Sequence, residues 1–263
     1  MRLKPFVLLG VFLVCAQVGT AVELKPETIQ AFDRYIADLE MRLEPRFHGN
    51  HFLWLDDFSG LREQVLQGAV LIRPSSGNGL AAVKGGLIQD WMGAVFIPHS
   101  TLKAVQAIVQ DYDRHQEILK PEIAESKMRS RQGDDFQVYL RIVKSKFFLS
   151  DVLNTEHKIH YVPVDAQRVY SRSYSTRIAE VSGAGKPGEH ELPVGQDRGL
   201  LWRLYSYWFF EERDGGVYIA CQTVTLTRDI PMGMGKLVGP IIHDVPGESL
   251  QSSLEQIRKA MRP

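Results

Sequence analysis

Apolar side chains recur every second residue through most of the stretch from Leu87 to Ile230, and every third or fourth residue in segments near the two ends of the chain. The first period belongs to strands, whose side chains alternate between two faces, and the second to helices with one buried stripe. Strands are predicted at Leu87 to Ile97, Ile123 to Arg131, Phe136 to Leu149, Thr155 to Val162, Arg168 to Val181, Leu200 to Glu211 and Val217 to Ile230. The Asp214-Gly215-Gly216 turn joins the last two as a hairpin. A shorter alternation at Ala69 to Ile72 adds a strand that Pro74 and the run Ser75-Ser76-Gly77-Asn78-Gly79 bring to an end.

Helical spacing appears four times. Pro26 suits a first helical turn, and Ile29, Phe32, Ile36, Leu39 and Leu43 follow with charges between them, so an amphipathic helix docked on the body is expected up to Pro45. Leu61 to Gln67 reads as a second, short helix. Ser100 or Thr101 can cap a third, whose apolar face is Leu102, Val105, Ile108 and Val109 and which Pro121 ends. At the C-terminal end, Leu237, Val238, Ile241 and Ile242 lead to Pro246, where a kink or restart is expected, and Leu250, Leu254, Ile257 and Met261 then share one face. Between strands, Ile178 to Leu200 is broken by Gly183, Gly185, Pro187, Gly188 and Pro193. A long exposed loop is expected there, placed over a cavity mouth.

This order of elements resembles the START-like helix-grip superfamily of lipid-transfer domains and polyketide cyclases. The resemblance is carried by Gly86 to Pro98, Asp111 to Pro121, the Asp214 hairpin and Thr227-Arg228-Asp229-Ile230-Pro231 before the last helix, and it leans toward the bacterial cyclase and lipid-transport branch. It implies an α+β helix-grip fold, a curved antiparallel sheet wrapped around a long C-terminal helix with an apolar cavity between them. Residues 69–263 would form that domain, residues 22–68 an N-terminal helical extension, and residues 1–21 a signal peptide. A hydrophobic small molecule is the implied partner.

Period two then sorts side chains by face. Trp202, Leu204, Ser206, Trp208 and Phe210 form the more apolar set of their strand and are placed toward the helix, as is Leu140 with Phe136, Val138 and Ile142. The expected ligand-binding residues are Trp202, Leu204, Trp208 and Leu140, with Leu237 and Ile241 facing them from the helix and Tyr161 or Arg172 fixing orientation. No catalytic residue, metal ligand or cofactor is assigned. Asp111 and His115 stand at helical spacing, and an acid/base pair or a solvent-facing helix end both fit them. His157 and His160 are three apart, which puts them on opposite faces of a strand, where they cannot chelate together. His48 and His51 lack a third ligand of suitable spacing. In Gly183-Ala184-Gly185-Lys186-Pro187 a proline stands where a phosphate loop needs Ser or Thr.

Charge removes one class of partner: Lys+Arg 31 balances Asp+Glu 31, so the basic field of a nucleic-acid binder is missing. The chain has 2 cysteines, of which Cys15 lies in the N-terminal segment, and Cys221 reads as a small packed thiol. Three functions stay open. They are a periplasmic or secreted binder or carrier of a lipid-like or polycyclic molecule, an enzyme of cyclase, dehydratase or hydrolase type using Tyr161, Arg172 or Glu211, and an interaction module with a filled cavity. No obligate protein partner is implied, and transient membrane contact is compatible with the first.

Export follows from the first residues. Arg2 and Lys4 precede the apolar run Phe6 to Val14, and Gly19 and Ala21 provide the small residues of a cleavage site. Val14 is too bulky for a lipobox before Cys15, and a retained membrane anchor is the competing reading. The mature protein is expected to begin near Val22; N-terminal sequencing of the exported fraction checks this, and a chain starting at Met1 in the cytoplasm would refute it.

Overall fold

The computed structural model describes residues 21–146, 149–229 and 235–262, with side chains left undescribed at 145, 146, 149, 150 and 235–244. In chain order the elements are β1 (Val22–Glu23), α1 (Pro26–His48), α2 (Leu61–Leu66), β2 (Leu71–Pro74), β3 (Leu80–Val83), β4 (Gly86–Pro98), α3 (Leu102–Val109), α4 (His115–Ile118), β5 (Ile123–Gln132), β6 (Asp135–Lys146), β7 (Leu149–Pro163), β8 (Arg168–Ser182), β9 (His190–Glu191), β10 (Gln196–Asp197), β11 (Arg203–Arg213), β12 (Gly216–Thr227) and α5 (Gly235–Ala260). The main sheet is ten-stranded and runs β2-β4-β12-β11-β8-β7-β6-β5, with β3 beside β2 on β4 and β9 on β8. Its strand pairs are antiparallel throughout.

The sheet curves around α5 on its concave face, which makes the fold a helix grip. Contact is closest at Gly93, where an added Cβ would stand 2.8 Å from Leu254 Cδ1 and 2.9 Å from Leu250 Cδ2. One turn back along the helix, a Cβ at Gly247 would meet the Trp91 ring at 3.1 Å. Leu250, Leu254 and Ile257 are buried there with Val95, Val105 and Ile219, as their common stripe predicted. The helix continues through Pro246 without restarting. Thr101 caps α3 by accepting from Ala104 N at 3.3 Å.

The convex face is covered as well. Phe32, Ile36, Leu39, Leu43 and Phe47 of α1 are buried against Tyr170, Tyr207, Phe209 and Tyr218. Phe47 stacks on Tyr170 with centroids 3.9 Å apart, and Phe52 meets Phe209 edge-on at 5.4 Å. Burial on both faces explains why β4 and β12 read as nearly continuous apolar runs. It also turns Tyr205, Tyr207 and Phe209, the less apolar set of β11, into core rather than surface.

Polar groups under α1 are paired. Asp90 is 2% exposed and accepts from Tyr35 OH at 2.7 Å and Gln222 Nε2 at 2.8 Å, with desolvation pushing its carboxyl above the usual range. Glu40 accepts from both Tyr174 OH and Tyr207 OH.

Several boundaries differ from the sequence expectation. The helix α1 passes Pro45 and ends at His48, because a proline in the last turn sacrifices one backbone bond without clearing the stripe from the sheet. Strand β8 extends to Ser182, so the loop begins five residues later than Ile178. Strand β7 begins at Leu149 instead of Thr155, and β3 appears between two glycine turns where four residues gave too short an alternation to recognise. The apolar run from Phe6 to Val14 lies outside the described residues.

Truncating Phe47 to Ala removes the ring that stacks on Tyr170, and the loss is expected at about 3–5 kcal/mol. Denaturant unfolding of the variant measures it; a loss below about 1 kcal/mol would mean that α1 contributes little to holding the sheet.

Candidate ligand cavity

Register identifies the concave side chains. Trp208 lies opposite Cys221 and Ser171, Ser206 opposite Thr223 and Ser173, and Leu204 opposite Thr225. On the next strands Ser175 lies opposite His157, and His157 opposite Val138. Small hydroxyl-bearing residues thus cross the middle of the concave face, where a sheet packed tightly on a helix would carry branched aliphatic side chains. Leu204, Ser206 and Trp208 stay only half-buried although β11 is flanked on both sides by other strands.

An aromatic series closes one end of this surface. Trp208 stacks over Phe210 at 6.4 Å, Phe210 lies 6.5 Å from Tyr161, and Tyr161 meets Phe136 edge-on at 5.5 Å. The hydroxyls of Tyr161 and Tyr112 are 2.8 Å apart and both residues are buried. Desolvation pushes the Tyr161 phenol up to about 12.

Ion pairs mark the other end. Lys144 pairs with Glu122 and donates to Ser249 Oγ of α5 at 2.6 Å. Arg198 reaches Asp151 at 2.9 Å and Glu180 at 2.8 Å. Glu180, fully buried, also accepts from Leu200 N at 2.8 Å, so one carboxylate anchors the segment that follows β10. Burial pushes its carboxyl upward. The long loop therefore stands beside this end of the concave face. Two open depressions are present, one of about 630 Å3 at this end, at Asp151, Leu192 and Arg198, and one of about 700 Å3 along α1 at Met41, Glu44 and Arg172.

Four of the expected site residues share the concave side: Leu204, Trp208, Leu140 and Tyr161. Trp208 donates from Nε1 to Ser206 Oγ at 3.1 Å, and Leu140 lies opposite Thr155. Two are corrected. Trp202 precedes the strand, so alternation does not govern it, and it is buried in the convex cluster with Nε1 donating to Asp197 Oδ1 at 3.0 Å. Arg172 alternates outward and lies 4.8 Å above the Phe47 ring, 3.3 Å from Glu44. Leu237 and Ile241 are in α5, and their side chains lie outside the described residues. Tyr161, Arg172 and Glu211 are not brought together, because Tyr161 faces the concave side while Arg172 and Glu211 face the other.

His157 is the polar residue that side-chain type alone did not single out. Its Nε2 is 3.0 Å from Thr155 Oγ1, and Thr155 Oγ1 donates to Leu140 O at 3.1 Å. With the threonine proton committed to that carbonyl, Nε2–H is the donor and Nδ1 carries the lone pair. Its partner at spacing three, His160, points the opposite way and sits 2.8 Å from Asp135. His115 and Asp111 form no pair, since α3 ends before them and the His115 ring bonds Val109 O at 3.1 Å.

No family model matches the chain, and no curated protein matches it. Among solved structures it is similar to a STAR-related lipid transfer protein (fragment 25-204) from Xanthomonas axonopodis, with 14% identity, coverage of 70% of this chain and 99% of that one, and a TM-score of 0.48. It is similar also to the Zhui aromatase/cyclase from Streptomyces, at 10% identity over 66% and 93% of the two chains with a TM-score of 0.40. Human STARD10 gives 10% identity, 78% and 79% coverage and a TM-score of 0.41. The fold is a helix grip of the START-like kind, as the strand order and the helix held in the concave face define it.

Burial holds the His157 imidazole down to about 4 from 6.5. The unfolded chain takes up this proton near 6.5 and the folded chain only near 4, so stability falls as pH drops through that window, by up to about 3 kcal/mol from this residue. His115 is lowered to about 4 as well and acts in the same sense. Denaturant titrations across pH 7 to 4 should give a flatter profile for His157→Gln than for the natural chain; an unchanged profile would show the ring to be solvated.

Proposed function

We propose that the protein is an exported binding or carrier protein for a hydrophobic small molecule, lipid-like or polycyclic, that sits between the concave face and α5. One observation carries the reading. Leu204, Ser206 and Trp208 lie on an interior strand, on the face that the helix covers, yet remain half-buried. Protein cores pack as densely as organic crystals, so accessible apolar surface at that depth marks unfilled space. The lining matches what small-molecule sites use, an apolar wall of Leu140, Leu204 and Trp208 with a few placed polar groups. The export part rests on the N-terminal sequence alone.

Of Tyr161, Arg172 and Glu211, the groups considered for an enzyme using the same cavity, Tyr161 alone lies on the concave face. Binding does not need the three to converge.

The test joins two measurements. Molecules extracted from purified protein are identified by mass spectrometry, and Nile red is titrated against the natural chain and Leu204→Trp. The larger ring is expected to abolish probe binding while costing less than the roughly 1–3 kcal/mol that overpacking a filled core exacts. No bound molecule, no probe binding and a large stability loss in the variant would together make the concave side a solid core and end the carrier reading.

A further inference from the structure

The hydroxyl-bearing strip on the concave face is polar without being charged. Thr223, Thr225, Ser206, Ser173, Ser175 and His157 cross β12, β11, β8 and β7 in consecutive register, and no described charged side chain lies among them. The charges that border it along the strands are already engaged. Lys144 is matched by Glu122, and Arg198 by Asp151 and Glu180. At the opposite end, Glu212 accepts from Leu102 N at 2.6 Å, at the start of α3.

The hydrogen bonds within the strip leave particular capacities open. Ser206 Oγ accepts from Trp208 Nε1 at 3.1 Å, and Ser175 Oγ accepts from Leu204 N at 3.0 Å. In these bonds both hydroxyls act as acceptors, and each has a proton to donate. His157 adds an acceptor at Nδ1, as the bonding of Thr155 requires. The floor therefore presents donors and an acceptor within a strand spacing or two of one another, about 5–10 Å.

A buried carboxylate needs a cation or several donors to offset its lost hydration, whereas a hydroxyl or carbonyl needs one matched hydrogen bond. Resting on the binding reading above, we infer that the ligand is an uncharged molecule bearing hydroxyl or carbonyl oxygens on its apolar body, and that the same body bearing a carboxylate is refused. Described cations on this face cannot serve a carboxylate without first leaving Glu122, Asp151 or Glu180 unpaired.

Three probes of one shape separate the terms: pyrene, pyrenemethanol and pyrenecarboxylate, titrated into the full mature chain at neutral pH and read by pyrene emission and tryptophan quenching. Pyrenemethanol is expected to bind at least about tenfold more tightly than pyrenecarboxylate. Ser206→Ala should weaken pyrenemethanol by about three- to tenfold while leaving pyrene unchanged, and retained pyrene binding reports that the variant is folded. Equal or tighter binding of the carboxylate would overturn this inference and leave the binding reading standing. An Ser206→Ala loss that is the same for pyrene and pyrenemethanol would overturn the hydroxyl's role in recognition. If none of the three binds the natural chain, the cavity itself is absent and both readings fall.

Discussion

Everything on the concave side depends on one close approach. Gly93 has no Cβ, and that absence lets Leu250 and Leu254 of α5 press onto β4 so closely that an added Cβ would stand under 3 Å from both. The same contact thus anchors the helix on β4. Across β12, β11 and β8 the concave face carries Thr223, Thr225, Ser206, Ser171 and Ser173 between larger side chains such as Leu204 and Trp208.

The second layer changes what the sheet can be. The outer face of the strands is not left to solvent. Here α1 buries Phe32 and Phe47 against it, and the carboxylates beneath are met by phenol hydroxyls: Asp90 by Tyr35, Glu40 by Tyr174 and Tyr207. Such groups cost several kcal/mol if left alone in a core and little when each has its donor. The tyrosines are in this sense part of the packing, because they allow a helix with an acidic flank to lie on an apolar sheet.

Much of this was legible in the sequence. Alternation located the strands and assigned Leu204, Ser206, Trp208 and Phe210 to one face, and the helical stripe of Leu250, Leu254 and Ile257 identified the buried side of α5. Period two, however, divides a strand into two faces without saying what covers each. Arg172, expected to fix a ligand's orientation, instead lies over Phe47, which comes from a helix more than a hundred residues away. Trp202 failed differently: it lies just before the strand, and its ring follows Asp197 instead of the pleat. The small hydroxyls of the strip carry no periodic signal of their own, because a serine at an inward position reads as a weak strand former until its partners in register are known.

A curved sheet packed on both sides is a stiff wall. To flatten it, the aromatic layer under α1 and the aliphatic layer under α5 would have to slip at once. The segment after β9 is fastened at several places: Glu180 accepts from Arg198 and from Leu200 N, β10 pairs with β1, Gly195 O accepts from Leu24 N, and Trp202 N donates to Leu226 O. Glu180, out of reach of solvent, fastens that segment to β8 from within the wall.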